Sequence, residues 1–368
     1  MRGRVAKQTQ FFLTVNLESE IPADHPLRSI KKRADAILKD MRQDFDAAYS
    51  PLGRRSIPPE QLLKAMLLMA LYSIRSEIQL MQQIHFNLLY RWFLDLGDVP
   101  AWTPEVFSMN RRRFEEYDLV RKFFDRVVAE AIAEDLAGRE HFTVDGTLIR
   151  SWASMKSMTR RDGTERPGKS DDDPDKPMMD YGGGKVTNET HVSTTDPEAR
   201  LMRKGKERSA YLSHSGHVLM DNLNGLVMDV RVGAADGHAE RKCAGQMLKH
   251  VKRRHGIVPE TLGADSAYDD AKFLEEMERR GIEPHVSLRD YGSGPKKESR
   301  RRAKERMATE AYAVSQRMRK RVEEIFGWCK TVGRLARSRL AGRWKITIEA
   351  LMTAAAYNLV RLAKLKPA

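Results

Sequence analysis

Residues 141–152 read HFTVDGTLIRSW. Phe142, Val144, Thr147 and Ile149 give the alternation of a buried strand, and one carboxylate, Asp145, sits in the middle of it. Aspartate is a poor strand former and is costly to bury without a partner. An acid placed there makes physical sense if other acids reach the same place.

Downstream, SAYLSHSGHVLMDN and GLVMDVRVGAA predict two strands joined at Asn222–Asn224, a hairpin. Residues 239–254 are expected to be helical, TLGAD a short strand, 270–280 a helix and EPHVSL another strand. A long helix is expected from 310 to 331 and an amphipathic one from 347 to 363. The order from residue 141 is therefore strand, hairpin, helix, strand, helix, strand, helix, helix. An antiparallel hairpin feeding parallel βαβ units is an α/β mixed sheet flanked by helices. Ribonuclease H-like nucleases and transferases are similar in this order. About 157–207 is expected to be a flexible loop, because RRDGTERPGKSDDDPDKPMMDYGGGKV is rich in Gly, Pro and charge and has no period.

Upstream, the first 138 residues are expected to be all-helical. Ser56 can cap a helix whose stripe is Leu62, Leu63, Met66, Leu67, Ala70 and Leu71, and Ser76 with Gln79 resembles a capping box. Thr103 followed by Pro104 starts a helix carrying Arg111, Arg112 and Arg113, and 119–136 is a further helix. Two regions result, 1–138 and 139–368.

The 368 residues carry a net charge of +14 and are 41% hydrophobic, so a real core can form and a polyanionic partner is expected, nucleic acid first. No run of 18 uncharged apolar residues occurs, so no membrane span is expected. Two cysteines, Cys243 and Cys329, exclude a disulfide scaffold and fit a reducing cytoplasm. The basic N-terminal stretch lacks an apolar core, so no secretion signal is expected.

Asp265 ends the TLGAD strand, where open α/β sheets place their ligands. Strands one and four adjoin in a ribonuclease H-like layout, which would make Asp145 and Asp265 neighbours. The third acid comes from QRMRKRVEEIFGWCK, where Glu323 and Glu324 compete. Met318, Val322, Ile325, Phe326 and Cys329 form the apolar stripe. At roughly 100° per residue, Arg319, Glu323 and Lys330 lie on a ridge beside it, and Glu324 turns away. Glu323 is thus the expected site acid. Three converging carboxylates repel unless cations sit among them, and two Mg²⁺ or Mn²⁺ ions suit in-line phosphoryl chemistry.

VDGTLIRSWASMKS, GADSAYD and RMRKRVEEIFGWCK resemble the three acidic motifs of DDE transposases from bacterial insertion sequences. LYSIRSEIQLMQQIHFNLLYRWFLDLG with FSMNRRRF resembles the helical leader of the insertion-sequence-five-type group. The resemblance covers about residues 50–363. It implies a triad of Asp145, Asp265 and Glu323, serving both as catalytic groups and as metal ligands. The family's helix signature is Tyr, two residues, Arg, three residues, Glu, six residues, Lys. Arg319, Glu323 and Lys330 match it, and Gln316 stands in the Tyr position. The resemblance also implies end-specific DNA cleavage, joining to target DNA, a homodimeric synaptic complex and a place at the bacterial nucleoid. Arg319 and Lys330 would hold DNA phosphates, with an Arg319–Glu323 salt bridge as the plain alternative. Arg111, Arg112 and Arg113 are set against a phosphate backbone, and the helices between 56 and 116 are expected to include a helix-turn-helix that reads the terminal repeats. A silent DNA-binding regulator and a nuclease without strand transfer are the alternatives.

Other signals weigh less. GTERPGKS, 163–170, matches the P-loop pattern in letters, but the flanking strand and helix are missing and four aspartates adjoin it. His214 and His217 point to opposite faces of a strand, so zinc is set aside. Lys296 to Arg306 is expected to be a disordered basic strap on DNA. Trp92, Trp102 and Trp152 are expected to be packing residues.

Overall fold

The computed structural model describes residues 15–366 except 51, 54, 55, 163–185, 204–208 and 290–296. Its helical leader holds α1 (Leu17–Glu20), α2 (Leu27–Asp40), α3 (Arg42–Ala48), α4 (Pro59–Leu71), α5 (Glu77–Phe86), α6 (Leu88–Phe93), α7 (Pro104–Glu116) and α8 (Leu119–Ala133). Local chemistry sets these ends. Pro59 and Pro104 start α4 and α7, Ser76 Oγ accepts the Gln79 amide at 3.1 Å, and Asn87 caps α6 through the Leu89 amide. Gln79 reaches back to the Arg75 amide, completing the box one residue earlier than the pattern predicts.

The sheet region follows as β1 (His141–Ser151), β2 (Met158–Arg160), β3 (His191–Ser193), β4 (Arg200–Met202), β5 (Tyr211–Asp221) and β6 (Val227–Ala234). Then come α9 (Ala239–His255), β7 (Thr261–Ala264), α10 (Ala271–Arg279) and β8 (Glu283–Val286). The chain continues with α11 (Glu298–Arg306), α12 (Glu310–Arg319), α13 (Val322–Thr331), β9 (Arg337–Ser338) and α14 (Arg343–Leu365). The main strand order is β6-β5-β1-β7-β8, with β4 extending beside β5 and β9 beside the end of β1. β6, β5 and β1 run antiparallel, and β1, β7 and β8 run parallel. This is the ribonuclease H-like mixed sheet, and strands one and four of that order do adjoin.

β1 alternates between two packed faces. A Cβ on Gly146 would lie 3.0 Å from the His217 ring and 3.7 Å from Glu240 of α9. Its neighbour Asp145 meets Arg319 of α12 instead. On that second face Gly263 lets α12 approach, since a Cβ there would come within 2.9 Å of Ser315 Oγ. α14 is fastened to β6 by Asn358, whose amide accepts from Val227 N–H at 2.9 Å and donates to Val227 O at 2.8 Å.

One apolar core runs from Ile21 to Leu362 and joins leader and sheet. Arg121 of α8 forms a buried ion pair with Asp229 of β6 and donates to Val230 O, and His250 of α9 pairs with Asp125 of α8 at 3.0 Å. None of the helices among the described residues is long and apolar enough to cross a membrane.

Three expectations change. The helix over 310–331 is two helices: Lys320 and Arg321 keep helical backbone angles but bond in the i→i+3 manner, so the axis steps between α12 and α13. The basic run at 297–306 is no loose strap. α11 is ordered because Arg300 pairs with Asp269, while Arg302 and Arg306 share Glu278. Lys296 lies outside the described residues. Finally, the described flanks of the 157–207 loop carry strands: β2 pairs with β3, and β4 joins the sheet. The P-loop-like 163–170 lies outside the described residues.

Candidate active site and the basic cavity beside it

β1 and β7 pair as Phe142 with Leu262 and Thr143 with Gly263. Two residues beyond that last pair stand Asp145, within β1, and Asp265, the first residue after β7. Asp145 is 9% exposed, and its carboxyl is pushed up to about 6. Burial is the main cause; Asp265 and Glu323 add repulsion, while the Gly146 N–H at 2.7 Å and Arg319 act in the opposite sense. Asp145 thus feels the charges of both Asp265 and Glu323. Asp265 begins a 3₁₀ turn by accepting the Ala267 amide at 2.9 Å, and Glu323 stands exposed in the first turn of α13. Glu324 turns to Arg361 of α14 at 3.3 Å, as a charge outside the site.

Arg319 does not pair with Glu323. Its Nη1 donates to Asp145 Oδ2 at 3.2 Å, so the guanidinium rests on the most buried carboxylate. Gln316 holds it there: Oε1 accepts from Arg319 Nε at 3.1 Å, and Nε2 donates to His285 O at 2.6 Å and Ala264 O at 3.3 Å. The residue in the Tyr position therefore clamps α12 onto the ends of β7 and β8. Tyr268 was not singled out from the sequence. It is fully buried, its hydroxyl has no partner, and burial with the nearby Asp145, Glu240 and Asp265 raises its phenol well above the usual range. The only sequence signal for it is its place three residues after Asp265.

Among the described residues no three His, Cys, Asp or Glu side chains close into a cation cage. The donor chemistry nevertheless fits a hard divalent ion: an all-carboxylate set, with one member destabilised by its like-charged neighbours and held by a cation from the protein itself. Asp145 titrates near 3.8 when unfolded and at about 6 in the fold. Below the lower value it is protonated in both states and costs nothing. Stability falls as pH rises through that window, and above it the full cost is roughly 3 kcal/mol at 1.36 kcal/mol per unit. Metal-free protein should therefore melt lower than Asp145→Asn at pH 7.5, and the gap should close near pH 4. Urea titrations at both pH values measure it; equal stability at pH 7.5 would remove the strain from Asp145.

The remaining site residues separate. Lys330 lies 6.0 Å from the Phe326 ring centre and lines a cavity of about 570 Å³ between α4, α5 and α7 on one side and α13, β9 and α14 on the other. Arg111 lines the same cavity and is ion-paired with Glu77, Arg112 is exposed, and Arg113 lies over Tyr49 at 4.4 Å. The three consecutive arginines therefore do not act as one patch. His214 is buried against Asp196 and His217 packs under Gly146, so both belong to the core. Trp92 is core, but Trp152 is 48% exposed at the cavity, with Arg337 and Arg339 4.3 and 4.8 Å from its ring centre. It is not the packing residue its sequence context predicts: β1 ends at Ser151, so Trp152 falls beyond the last strand-paired position.

The class of protein follows from two family matches. Residues 15–113 match the family described as Transposase domain, and residues 188–359 match the family described as Transposase DDE domain. The chain belongs to the DDE transposases of insertion-sequence type, a family that depends on divalent metal. No curated protein matches the sequence. Among solved structures it is similar to a piggyBac transposase synaptic complex with hairpin DNA, at 10% identity and a TM-score of 0.40, covering 92% of this chain and 76% of that one. A Mos1 transposase paired-end complex with left transposon end shows 14% identity and a TM-score of 0.20, covering 82% and 86%. A Mos1 mariner paired end complex with Mn shows 16% identity and a TM-score of 0.20, covering 83% and 86%. At these scores the likeness carries no argument.

Proposed function

We propose that this DDE transposase cuts the phosphodiester bonds at the ends of its own insertion sequence and joins the freed 3′-OH to target DNA. What supports this reading is that Asp145 and Asp265 follow paired positions of β1 and β7 by two residues, that Asp145 feels the charges of Asp265 and Glu323, and that Arg319 rests on Asp145. The three carboxylates would hold Mg²⁺ or Mn²⁺, two ions in all. Bound there, the ions supply Lewis-acid stabilisation of the entering and leaving oxygens of an in-line displacement.

The chain's own residues do the rest. Asp145 reaches full charge only above about pH 6, so it accepts a cation most readily at neutral pH and above. With a cation held by Asp145, Arg319 would be free to offer its planar fork to a phosphate oxygen. Lys330, seven residues beyond Glu323 on α13, meets a neighbouring phosphate. In the first step water attacks phosphorus and the P–O3′ bond breaks, leaving a 3′-OH and a 5′-phosphate. In the second that 3′-OH attacks a target phosphodiester, making one P–O bond and releasing one target 3′-OH.

The finer reading places the chain in the insertion-sequence-five-type group. It works as a homodimer on paired inverted repeats, in the bacterial cytoplasm at the nucleoid, with Arg112 on the backbone and the α4–α7 helices reading the ends. The test is incubation with labelled DNA carrying the element's ends, a second DNA and Mg²⁺ or Mn²⁺. A covalent joint between the two is the expected product. Cutting without joining would favour the nuclease, and binding without cutting the silent regulator.

A further inference from the structure

The chain leaving β8 passes the second site acid and fixes one arginine there. Val286 pairs with Ala264 at the end of β7, and the Ser287 amide still donates to Ala264 O at 3.4 Å. Asp265 follows Ala264, so this is the carboxyl end of the parallel strands, where α/β sheets hold their ligands. Arg289 comes two residues after Ser287. Its backbone is held at both polar groups: the N–H donates to Asp269 Oδ2 at 2.9 Å, and the carbonyl accepts from Arg300 Nη2 at 3.1 Å. Asp269 and Arg300 are themselves locked together. Arg300 Nε and Nη2 each lie 2.8 Å from the Asp269 carboxylate, whose side chain is fully buried. A planar fork on a carboxylate is a strong and orienting ion pair.

The side chain of Arg289 is treated the opposite way. It is exposed, and among the described residues its guanidinium makes no hydrogen bond or ion pair. Its charge is nevertheless felt at the site. Glu240, in the first turn of α9 beside Gly146, has its carboxyl raised by burial and by Asp265, with Arg241 and Arg289 acting in the opposite sense. Arg241 also faces Asp270 at 3.9 Å, which leaves Arg289 as the uncommitted cation of the two. A pinned backbone with a free head is pre-organised for a partner from outside the chain, because less freedom is lost when that partner binds. Asp145, Asp265, Glu323 and Glu240 would repel an incoming phosphodiester, and a fixed guanidinium at their edge offsets that repulsion. One strand spacing across and two residues along put Arg289 about 8 Å from Asp265 before its side chain extends. At about 3.4 Å of rise per nucleotide of one strand, it reaches phosphates within about three nucleotides of the cut.

We infer that Arg289 grips a phosphate flanking the scissile one, and that the Asp269–Arg300 clasp positions it to do so. This rests on the transposase reading, and the experiment separates the two. The probes are duplexes carrying the element's end, each with one phosphate near the cut replaced by a neutral methylphosphonate. Binding is measured in EDTA, so that no strand is cut. Arg289→Gln should bind the unmodified end about tenfold more weakly, the size of a hydrogen bond to a charged group, and should lower the slope of log K against log salt by about 0.9. At one position within about three nucleotides of the cut, the methylphosphonate should cost wild type about tenfold and Arg289→Gln under about twofold. Arg289→Lys, which restores charge without the fork, should recover part of the affinity and the slope. Arg300→Lys leaves Asp269 a cation but cannot span both its oxygens and the Arg289 carbonyl, so it should reduce the coupling at the same position. Melting of Arg289→Gln should match wild type, because its side chain holds nothing in the fold. If each methylphosphonate costs wild type and Arg289→Gln alike, or the coupled phosphate lies farther away, Arg289 is only a countercharge to Glu240 and the assignment falls. Full coupling in Arg300→Lys would remove the clasp from it. Failure of wild type to bind the unmodified end would instead bring down the DNA-transposing reading, and this inference with it.

Discussion

Asp145→Asn should abolish both end cleavage and strand transfer, by roughly a thousandfold or more, while end binding stays within about twofold. The size follows from the position. Asp145 is the most buried of the three acids, it is the one Arg319 holds, and its carboxyl feels both of the others. Asparagine keeps the shape and can still accept from Gly146, so the fold survives, but it brings no charge to a cation. Asp265→Asn and Glu323→Gln should fall in the same range, because residues that act as one unit are not additive and losing any member disables it. Glu324→Gln is the control. It lies next to Glu323 in sequence, yet its side chain is committed to Arg361, so cutting and joining should stay within about twofold of wild type. Gel assays of labelled ends, with binding measured in parallel, decide it. If all four variants cut equally, Asp145 is a structural acid and the triad is wrong; if Glu324→Gln alone fails, the helix phase was misjudged.

That phase could be read from the sequence because it depends on local geometry. The apolar stripe of α13 fixes which side meets the sheet, and Val322, Ile325 and Phe326 are indeed buried. The break at Lys320–Arg321 does not disturb the result, since both residues stay helical in backbone angle. The adjacency of Asp145 and Asp265 was legible for a different reason: strand order follows from topology once the elements are recognised. What could not be read depends on partners distant in sequence. Proximity in sequence offers Arg319 a partner in Glu323, four residues away, but it pairs with Asp145, 174 residues away. Arg300, Arg302 and Arg306 looked like a strap because Asp269 and Glu278 sit on elements that only folding brings near. Trp152 looked like strand core because periodicity cannot show where a neighbouring strand stops.

Asp196→Ala should destabilise the protein by roughly 3–5 kcal/mol, the cost of leaving three buried polar groups without their acceptor. Asp196 is fully buried, and three segments end on it. Ser151 Oγ donates to its Oδ2 at 2.7 Å, His214 Nε2 lies 2.9 Å from the same oxygen, and the Gly342 amide donates to Oδ1 at 3.2 Å. Its carboxyl is held below the usual range: burial works against this, but the bonds from His214 and Ser151 outweigh it. Alanine would strand three polar groups in the interior, each at a cost of about 1–3 kcal/mol. The consequence reaches function through placement. Ser151 precedes Trp152, and Gly342 follows the segment that carries Arg337 and Arg339, so one carboxylate fixes both sides of the cavity's aromatic edge. His214→Phe, which removes one partner and leaves the carboxylate its other two, should cost less. Urea melts of the two variants beside wild type measure both effects. A loss under about 1 kcal/mol for Asp196→Ala would mean that the 191–202 segment is held by its strands alone, and that the end of β1 needs no anchor to present Trp152.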